Sequence, residues 1–572
     1  MTFLNRDPND PIENLAIGKI IEVDGSHIIA ELDPSIQELS RVYGGEVYPI
    51  GQFGSIVKIH FGRKIIYGYV GRLRMKAEYE REMGAVSINS EIDARVVEAD
   101  LFGEGEWILN SQETLSPWQL NFERGIATFP LPQQTLYLTP STELRFIYGH
   151  GKGAVLKIGE HVGAAGAPCY ADLNELLGKH TAILGSTGSG KSGAVAAIMH
   201  SLLDHGKEKK YSSWKPQIVI LDPHNEYGQA FSGQCLKLST DDGTLVLPYW
   251  LLSLQETIAL LIGKTEFVAT SQTNIIKRAL LFARQEGSKI IKIDDKKITV
   301  DSPVPYAWAL FKKTIEDEKN GLTPSKQDSH NSILGKIEVI ENDARMKFLM
   351  QIWNEKDDIF ANIVEQFLGG QYLIKIIDLS GVPNEVAGLA SSVIARLLFN
   401  FKVWQTTSER ESNPLLFVCE EAHRYVPNSG EAQYEAAQEA IRRIAKEGRK
   451  YGLGLILVSQ RPSEVEETVL SQCNSWIVLR ITNDTDRQHV RSILPDSLAG
   501  LTKILSGLRR REAIFVGQAA MLPSRIMMNY LEKQYLPRSN DIDFDKGWQN
   551  EPMEKDGILK TGNRWRLQQK AI

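Results

Sequence analysis

The stretch Gly-Ser-Thr-Gly-Ser-Gly-Lys-Ser at 185–192 sets glycines, a lysine and a hydroxyl at the spacing GxxxxGK[ST]. That spacing does phosphate chemistry. Gly185, Gly188 and Gly190 let the backbone curl, so the loop N–H groups, those of Ser186, Thr187 and Ser189 among them, face phosphate oxygens. Lys191 then reaches the β- and γ-phosphates, and the Ser192 hydroxyl ligates a metal. The expected ligands are ATP and Mg²⁺. An apolar strand, TAIL at 181–184, comes before the loop, and a helical run, GAVAAIMHSLL, follows it. A Gly/Ser-rich turn that matched by chance would need neither flank.

Two further strands end in acids. LLFVCEEAHRYVP at 415–427 is an apolar run closed by Glu420 and Glu421, the Walker-B pattern. Glu420 is expected in the Mg²⁺ shell with Ser192, and Glu421 is expected to polarise the attacking water. Aspartate commonly stands first in such a pair. Glutamate at 420 leaves the division of roles between the two open. His423 either orients a glutamate or takes part in the chemistry itself. QIVILDPHNEYG at 217–228 carries Asp222, His224 and Glu226 at alternate positions. Strand ends at the carboxyl edge of an open α/β sheet are where ligands bind, so Asp222 or Glu226 is a candidate to assist metal or water. The competing reading is a structural turn. No distant Cys or His cluster supports zinc.

The segment IAKEGRKYGLGLILVSQRP at 444–462 puts a buried strand between a basic cluster (Lys446, Arg449, Lys450) and Gln460-Arg461-Pro462. A packed strand needs neither end. Local chemistry alone reads Arg449 and Lys450 as a solvated helix C-cap before Gly452, where cations are favoured.

These residues need elements to hold them. Continuous apolar runs at 181–185, 217–222, 373–379, 415–421, 454–460 and 475–481 alternate with helical patterns, the mark of a mostly parallel sheet in an α/β fold. Residues 250–365 are helical and charged with no buried strand, which reads as an insertion. Upstream, IGKIIEVDGSHIIAEL alternates around Asp24-Gly25, and short strands with Gly-rich turns continue to about residue 150, predicting a small barrel or sandwich. The expected division is a β domain over 1–165, a P-loop core over 166–535 and a C-terminal extension over 536–572, with the Gly/Ala-rich 149–168 as the first boundary.

Composition narrows the function. Net charge is −6 from 65 basic and 71 acidic residues, so any nucleic-acid contact must be a local patch or a pore shared by several subunits. The four cysteines, Cys169, Cys235, Cys419 and Cys473, are scattered singly and show no CxxC pair, which fits a reducing compartment. With a polar N-terminus and no uncharged span of membrane length, the expected location is the cytoplasm, without a membrane.

The set HTAILGSTGSGKS, ILDPHNEY, IIDLSGVP, EEAHRYVP and KEGRKYGLGLILVSQRP resembles the HerA family of the FtsK–HerA class of hexameric DNA translocases, in order from about 15 to 530. Asn225 departs from the usual glycine and Lys446 from the usual arginine. The resemblance implies a RecA-like motor behind a small N-terminal barrel, and a homo-hexamer that moves on DNA without sequence preference. It implies a partner nuclease or other effector, in DNA end processing or antiphage defence. An ATP-binding ring that mainly assembles and gates such a partner is the alternative. It also gives the 453–459 strand its two ends: Gln460 near the γ-phosphate of its own subunit, and Arg449 as an arginine finger on the adjoining subunit's nucleotide, with Arg442 and Arg443 as further candidates.

Overall fold

Ala16–Asp24 runs antiparallel to His27–Leu32 with Asp24 opposite His27, so the hairpin turns at Gly25-Ser26. In this computed structural model, which describes residues 7–52, 54–83, 94–109, 118–149, 153–162, 167–240, 242–262, 269–380, 382, 384–428, 435–494, 504–538 and 543–567, that hairpin begins a closed sheet. The strands follow the order His27–Leu32, Ala16–Asp24, Thr135–Leu138, Ile56–Phe61, Lys64–Met75 and Arg95–Leu109. Pairing of Arg95–Leu109 with His27–Leu32 closes the ring, and Trp118–Arg124 extends it outside the closure. Closure makes this a six-stranded barrel rather than a sandwich, and removes the exposed edges that an open sheet leaves. Alternate residues point inward to form its core, among them Ile17, Ile28, Ala30, Val57, Ile59, Ile66 and Val97.

A second apolar cluster joins the outer barrel face to the helix Ser141–Gly149 through Tyr67, Tyr69, Trp107, Leu144 and Ile147. A charge pair lies inside it. Lys58 Nζ donates to Glu143 Oε2 at 2.6 Å and the Tyr67 hydroxyl donates to Glu143 Oε1 at 2.5 Å, with Lys58 and Glu143 only 1% and 3% exposed.

Contacts divide the chain into two units, Met1–Glu175 with Gly185–Gly190 and Ser475–Tyr530, and Leu176–Leu184 with Lys191–Asn474 and Leu531–Ile572. In the second unit the strands Thr181–Leu184, Leu453–Ser459, Leu415–Cys419, Gln217–Asp222, Ile374–Asp378 and Cys235–Ser239 lie side by side in that order, all parallel. The first five are apolar and almost wholly buried, which is why they read as unbroken runs. Cys235–Ser239 was not expected: it is a half-buried edge strand with a lysine in the middle. The expected insertion is helical, with helices at Leu254–Leu261, Ala269–Ile290, Trp308–Asn320, Asp328–Asn342 and Phe360–Glu365.

The strand Ser475–Leu479 differs from expectation. It pairs antiparallel with Glu512–Gly517, followed by Ser524–Met528, Val155–His161 and Pro168–Asp172, all antiparallel. Apolarity reports burial, and an antiparallel strand covered on both faces reads like a parallel one. The Gly/Ala-rich 149–168 segment contains one of these strands, whose alternating burial is visible only once it is paired.

All four cysteines are free. Among the described residues one helix, Val386–Trp404, has the length and hydropathy to cross a membrane, and two thirds of it is buried inside the protein. The tail carries short exposed helices at Phe544–Trp548 and Lys555–Leu567.

Glu143→Ala should strand the Lys58 ammonium in the apolar cluster and cost about 3–5 kcal/mol of barrel stability. Hydrogen exchange of the full-length chain should show the loss at strands 56–61 and 64–75. Unchanged protection there would mean that water reaches Lys58.

Candidate active site

The phosphate loop is shaped by left-handed glycines and held by its own turn. Gly188 and Gly190 have φ of 73° and 102°, a region that side chains avoid. The Ser189 N–H donates to Ser186 O at 3.1 Å, and the Ser186 N–H to Arg480 O at 2.9 Å. Thr482 N–H donates to the Ser186 hydroxyl at 3.1 Å and Arg511 N–H to Ser189 O at 3.4 Å. Sequence reasoning missed this backing. The run Arg509-Arg510-Arg511 was the available signal, and Arg510 comes within 3.8 Å of where a Cβ on Gly190 would stand.

The helix Lys191–Glu208 starts at the motif lysine. Lys191 is buried, and burial pushes its pKa down while Glu421, Glu420 and Glu226 pull it back. The acids feel the reverse. Burial, then the charge of Glu421, holds Glu420 well above the ordinary carboxylate range; burial also raises Glu421, opposed by Lys191 and by the Gln460 N–H. Register explains why they meet. Leu184 lies beside Ser459, and Cys419 beside Leu457 and Leu221, so loop, acids and Gln460 leave the sheet at one edge.

Glu421 has φ 53° and ψ 49°, a left-handed conformation rare for a glutamate. Its Oε2 lies 3.2 Å from His423 Nδ1, which is also 3.2 Å from the Ser459 hydroxyl. Burial lowers His423 to about 4, so the ring is neutral. Ser192 donates to Glu420 Oε1 at 3.5 Å, and Glu420 Oε2 is buried with no hydrogen-bond partner among the described residues. A hydroxyl and an unsatisfied carboxylate oxygen form a hard-oxygen donor set, which fits Mg²⁺. The fully buried Tyr227 hydroxyl, also missed from sequence, stands against Ser192.

Asp222 Oδ1 accepts the N–H groups of His224 and Glu226 at 3.3 and 3.1 Å, and Oδ2 that of Tyr227 at 3.0 Å. Both oxygens accept from the turn, so Asp222 holds Glu226 and Tyr227 in place. His224 is exposed. Asn225 has φ 56°, which accounts for the departure from glycine: asparagine is among the side chains that best tolerate this region.

At the other end of the 453–459 strand, Arg449 and Lys450 are exposed on a 3₁₀ turn, Gly448–Tyr451, closed by a left-handed Gly452. The Arg449 carbonyl accepts the Gly452 N–H at 3.4 Å, while its guanidinium makes no hydrogen bond or ion pair with any described residue. Arg442 is committed, its guanidinium gripping both oxygens of Glu466 at 2.9 and 3.0 Å, and Arg443 lies 4.7 Å over the Phe399 ring.

Parallel sheet, phosphate loop and paired acids at one edge define a RecA-like P-loop ATPase, an ATP-hydrolysing enzyme. Residues 156–398 match the family described as helicase HerA, central domain. It is 24% identical to a probable helicase of Methanocaldococcus jannaschii over 74% of this chain and 75% of that one. It is 28% identical to the DNA double-strand break repair helicase HerA of Sulfolobus acidocaldarius over 70% and 74%. A solved structure, VirB4 of Thermoanaerobacter pseudethanolicus, is similar at 15% identity and TM-score 0.47, covering 68% of this chain and 98% of that one.

Asp222→Asn replaces one acceptor oxygen by an amide that cannot accept. The turn should loosen at a cost of about 1–3 kcal/mol. ATP affinity should fall with it, while the Mg²⁺ concentration needed for half-maximal turnover stays where it was. A shift in that Mg²⁺ requirement without loss of stability would restore Asp222 as a metal ligand.

Proposed function

We propose that this chain is one subunit of a closed ring that hydrolyses ATP to move along DNA. The observation that carries the reading is the two-ended strand Leu453–Ser459: Gln460 adjoins Glu421 at one end, and an exposed, unpaired Arg449 stands at the other. Seven residues of strand span about 20 Å, too far for both ends to serve one nucleotide. Arg449 therefore acts on the adjoining subunit. An interface that passes from one copy to the next repeats until it closes. The family resemblance supports six copies, and also a partner nuclease or other effector working beside the ring.

In each site the loop N–H groups and Lys191 hold the triphosphate. Ser192 and Glu420 would hold Mg²⁺, which supplies positive charge to the phosphates when bound. Glu421 takes the proton of the attacking water as its oxygen bonds to the γ-phosphorus and the bond to the ADP oxygen breaks. Gln460 helps to orient that water and senses whether the γ-phosphate is present. The name of the Sulfolobus relative, a DNA double-strand break repair helicase, supports DNA as the track.

Glu421→Gln should keep ATP binding and lose turnover. Arg449→Ala should also keep binding and lose turnover by about 10³-fold. Mixed, the two variants should regain activity, because some interfaces then combine an intact Glu421 with a neighbour's intact Arg449. Near-normal turnover in Arg449→Ala would return that residue to the surface.

With a net charge of −6, DNA contact has to be local and directed at phosphates. Affinity should fall linearly with salt on logarithmic axes and be the same for duplexes of equal length and different sequence. A strong preference for one sequence would refute passage without base reading.

A further inference from the structure

The turn that carries Arg449 rests on one side chain. The helix Glu435–Glu447 ends, as helices do, with main-chain carbonyls that have no N–H of their own helix to accept. Two of these, Ile444 O and Ala445 O, lie close enough to the His180 ring to favour its protonated form. The ring nitrogen Nδ1 accepts the N–H of Leu455 at 3.0 Å. The imidazole thus bridges the helix that enters the arginine turn and the strand that leaves it. It is 3% exposed. Burial, aided by the charge of Arg449, lowers His180 to about 4, so the ring stays neutral with one fixed donor and one fixed acceptor.

The turn lies directly on this ring. A Cβ on Gly448 would meet Leu453 O at 2.6 Å and would stand 3.5 Å from His180 Cε1, so the residue before Arg449 has to be glycine. His180 is itself pinned. Its backbone is left-handed, with φ 60°, and its carbonyl accepts the Asn474 N–H at 3.2 Å. The next residue, Thr181, begins the strand that feeds the phosphate loop of the same subunit.

We propose that His180 is a positioning residue: it fixes the place at which Arg449 is presented to the adjoining subunit and ties that place to the strand entering its own phosphate loop. The inference rests on the trans reading of Arg449. A histidine suits the position because its two nitrogens face opposite ways across a rigid ring. Asparagine tolerates the left-handed backbone and can accept from Leu455, but is too short to reach the helix carbonyls as well.

His180→Asn in the full-length protein tests this. Rings should assemble and bind a fluorescent ATP analogue as the unaltered protein does, with turnover reduced about tenfold or more, equivalent to about 1.4 kcal/mol in the barrier. Mixing His180→Asn with Glu421→Gln chains, beside the Arg449→Ala and Glu421→Gln mixture, locates the defect. A trans defect predicts regained activity, because the Glu421→Gln chain brings an intact His180 and Arg449 to the other chain's intact acids. Activity regained in the Arg449→Ala mixture and not in the His180→Asn mixture would overturn the proposal, since the defect would then lie in the chain's own loop. Unchanged turnover in His180→Asn with a dead Arg449→Ala would overturn it and leave the arginine reading standing. Near-normal turnover in Arg449→Ala would remove the arginine reading and this inference together. If His180→Asn does not assemble, Gly448→Ala, which pushes the turn off an intact imidazole, should give the same regain in the mixture, and its failure to do so would count against the proposal.

Discussion

Lys191 sits buried among Glu420, Glu421 and Glu226, and much of the motor follows from that charge balance. Burial pushes the Lys191 ammonium towards its neutral form, and the three acids oppose that shift. The acids are in turn tolerable at this depth because of the lysine, and carboxylates still outnumber it. A triphosphate adds further negative charge. The unsatisfied Glu420 oxygen beside Ser192 is a hard donor of the kind that suits a divalent cation. Substrate and cation are coupled by electrostatics before any chemistry begins.

This arrangement demands a stiff support, and the parallel sheet provides it. Each strand that ends at the site is buried along its length, and side chains cannot shift without opening a void. At the turns the backbone adopts left-handed conformations at Glu421 and Asn225. Both positions are stabilised by neighbours: His423 and the Gln460 N–H at Glu421, and the Asp222 carboxylate around Asn225. Strain is stored where side chains must be aimed.

The strand Leu453–Ser459 also gives the sheet a second role. One end adjoins the acids and the other carries an arginine turn seated on His180, which itself begins the strand to the phosphate loop. Two neighbouring parallel strands thus connect the phosphate loop with the arginine turn. Such a connection through packed strands and an imidazole is a rigid one.

The sequence by itself determined the phosphate loop, the acid pair, the strands that bear them and the helical insertion, because each is a local pattern: a spacing that curls a backbone, or an apolar run that has to be buried. The same locality accounts for the presence of a small β unit, though only closure of Arg95–Leu109 onto His27–Leu32 made it a barrel. The tertiary structure alone decided what depends on partners distant in sequence. Ser475–Leu479 became antiparallel because its neighbour is Glu512–Gly517, and apolarity carries no direction. Asp222 became a turn staple because three N–H groups converge on it. His180 stands more than 260 residues from the helix carbonyls and the strand amide that it joins, and no spacing rule reaches that far. Charge and hydrogen bonding act over a few ångströms of space, and only folding determines which residues share them.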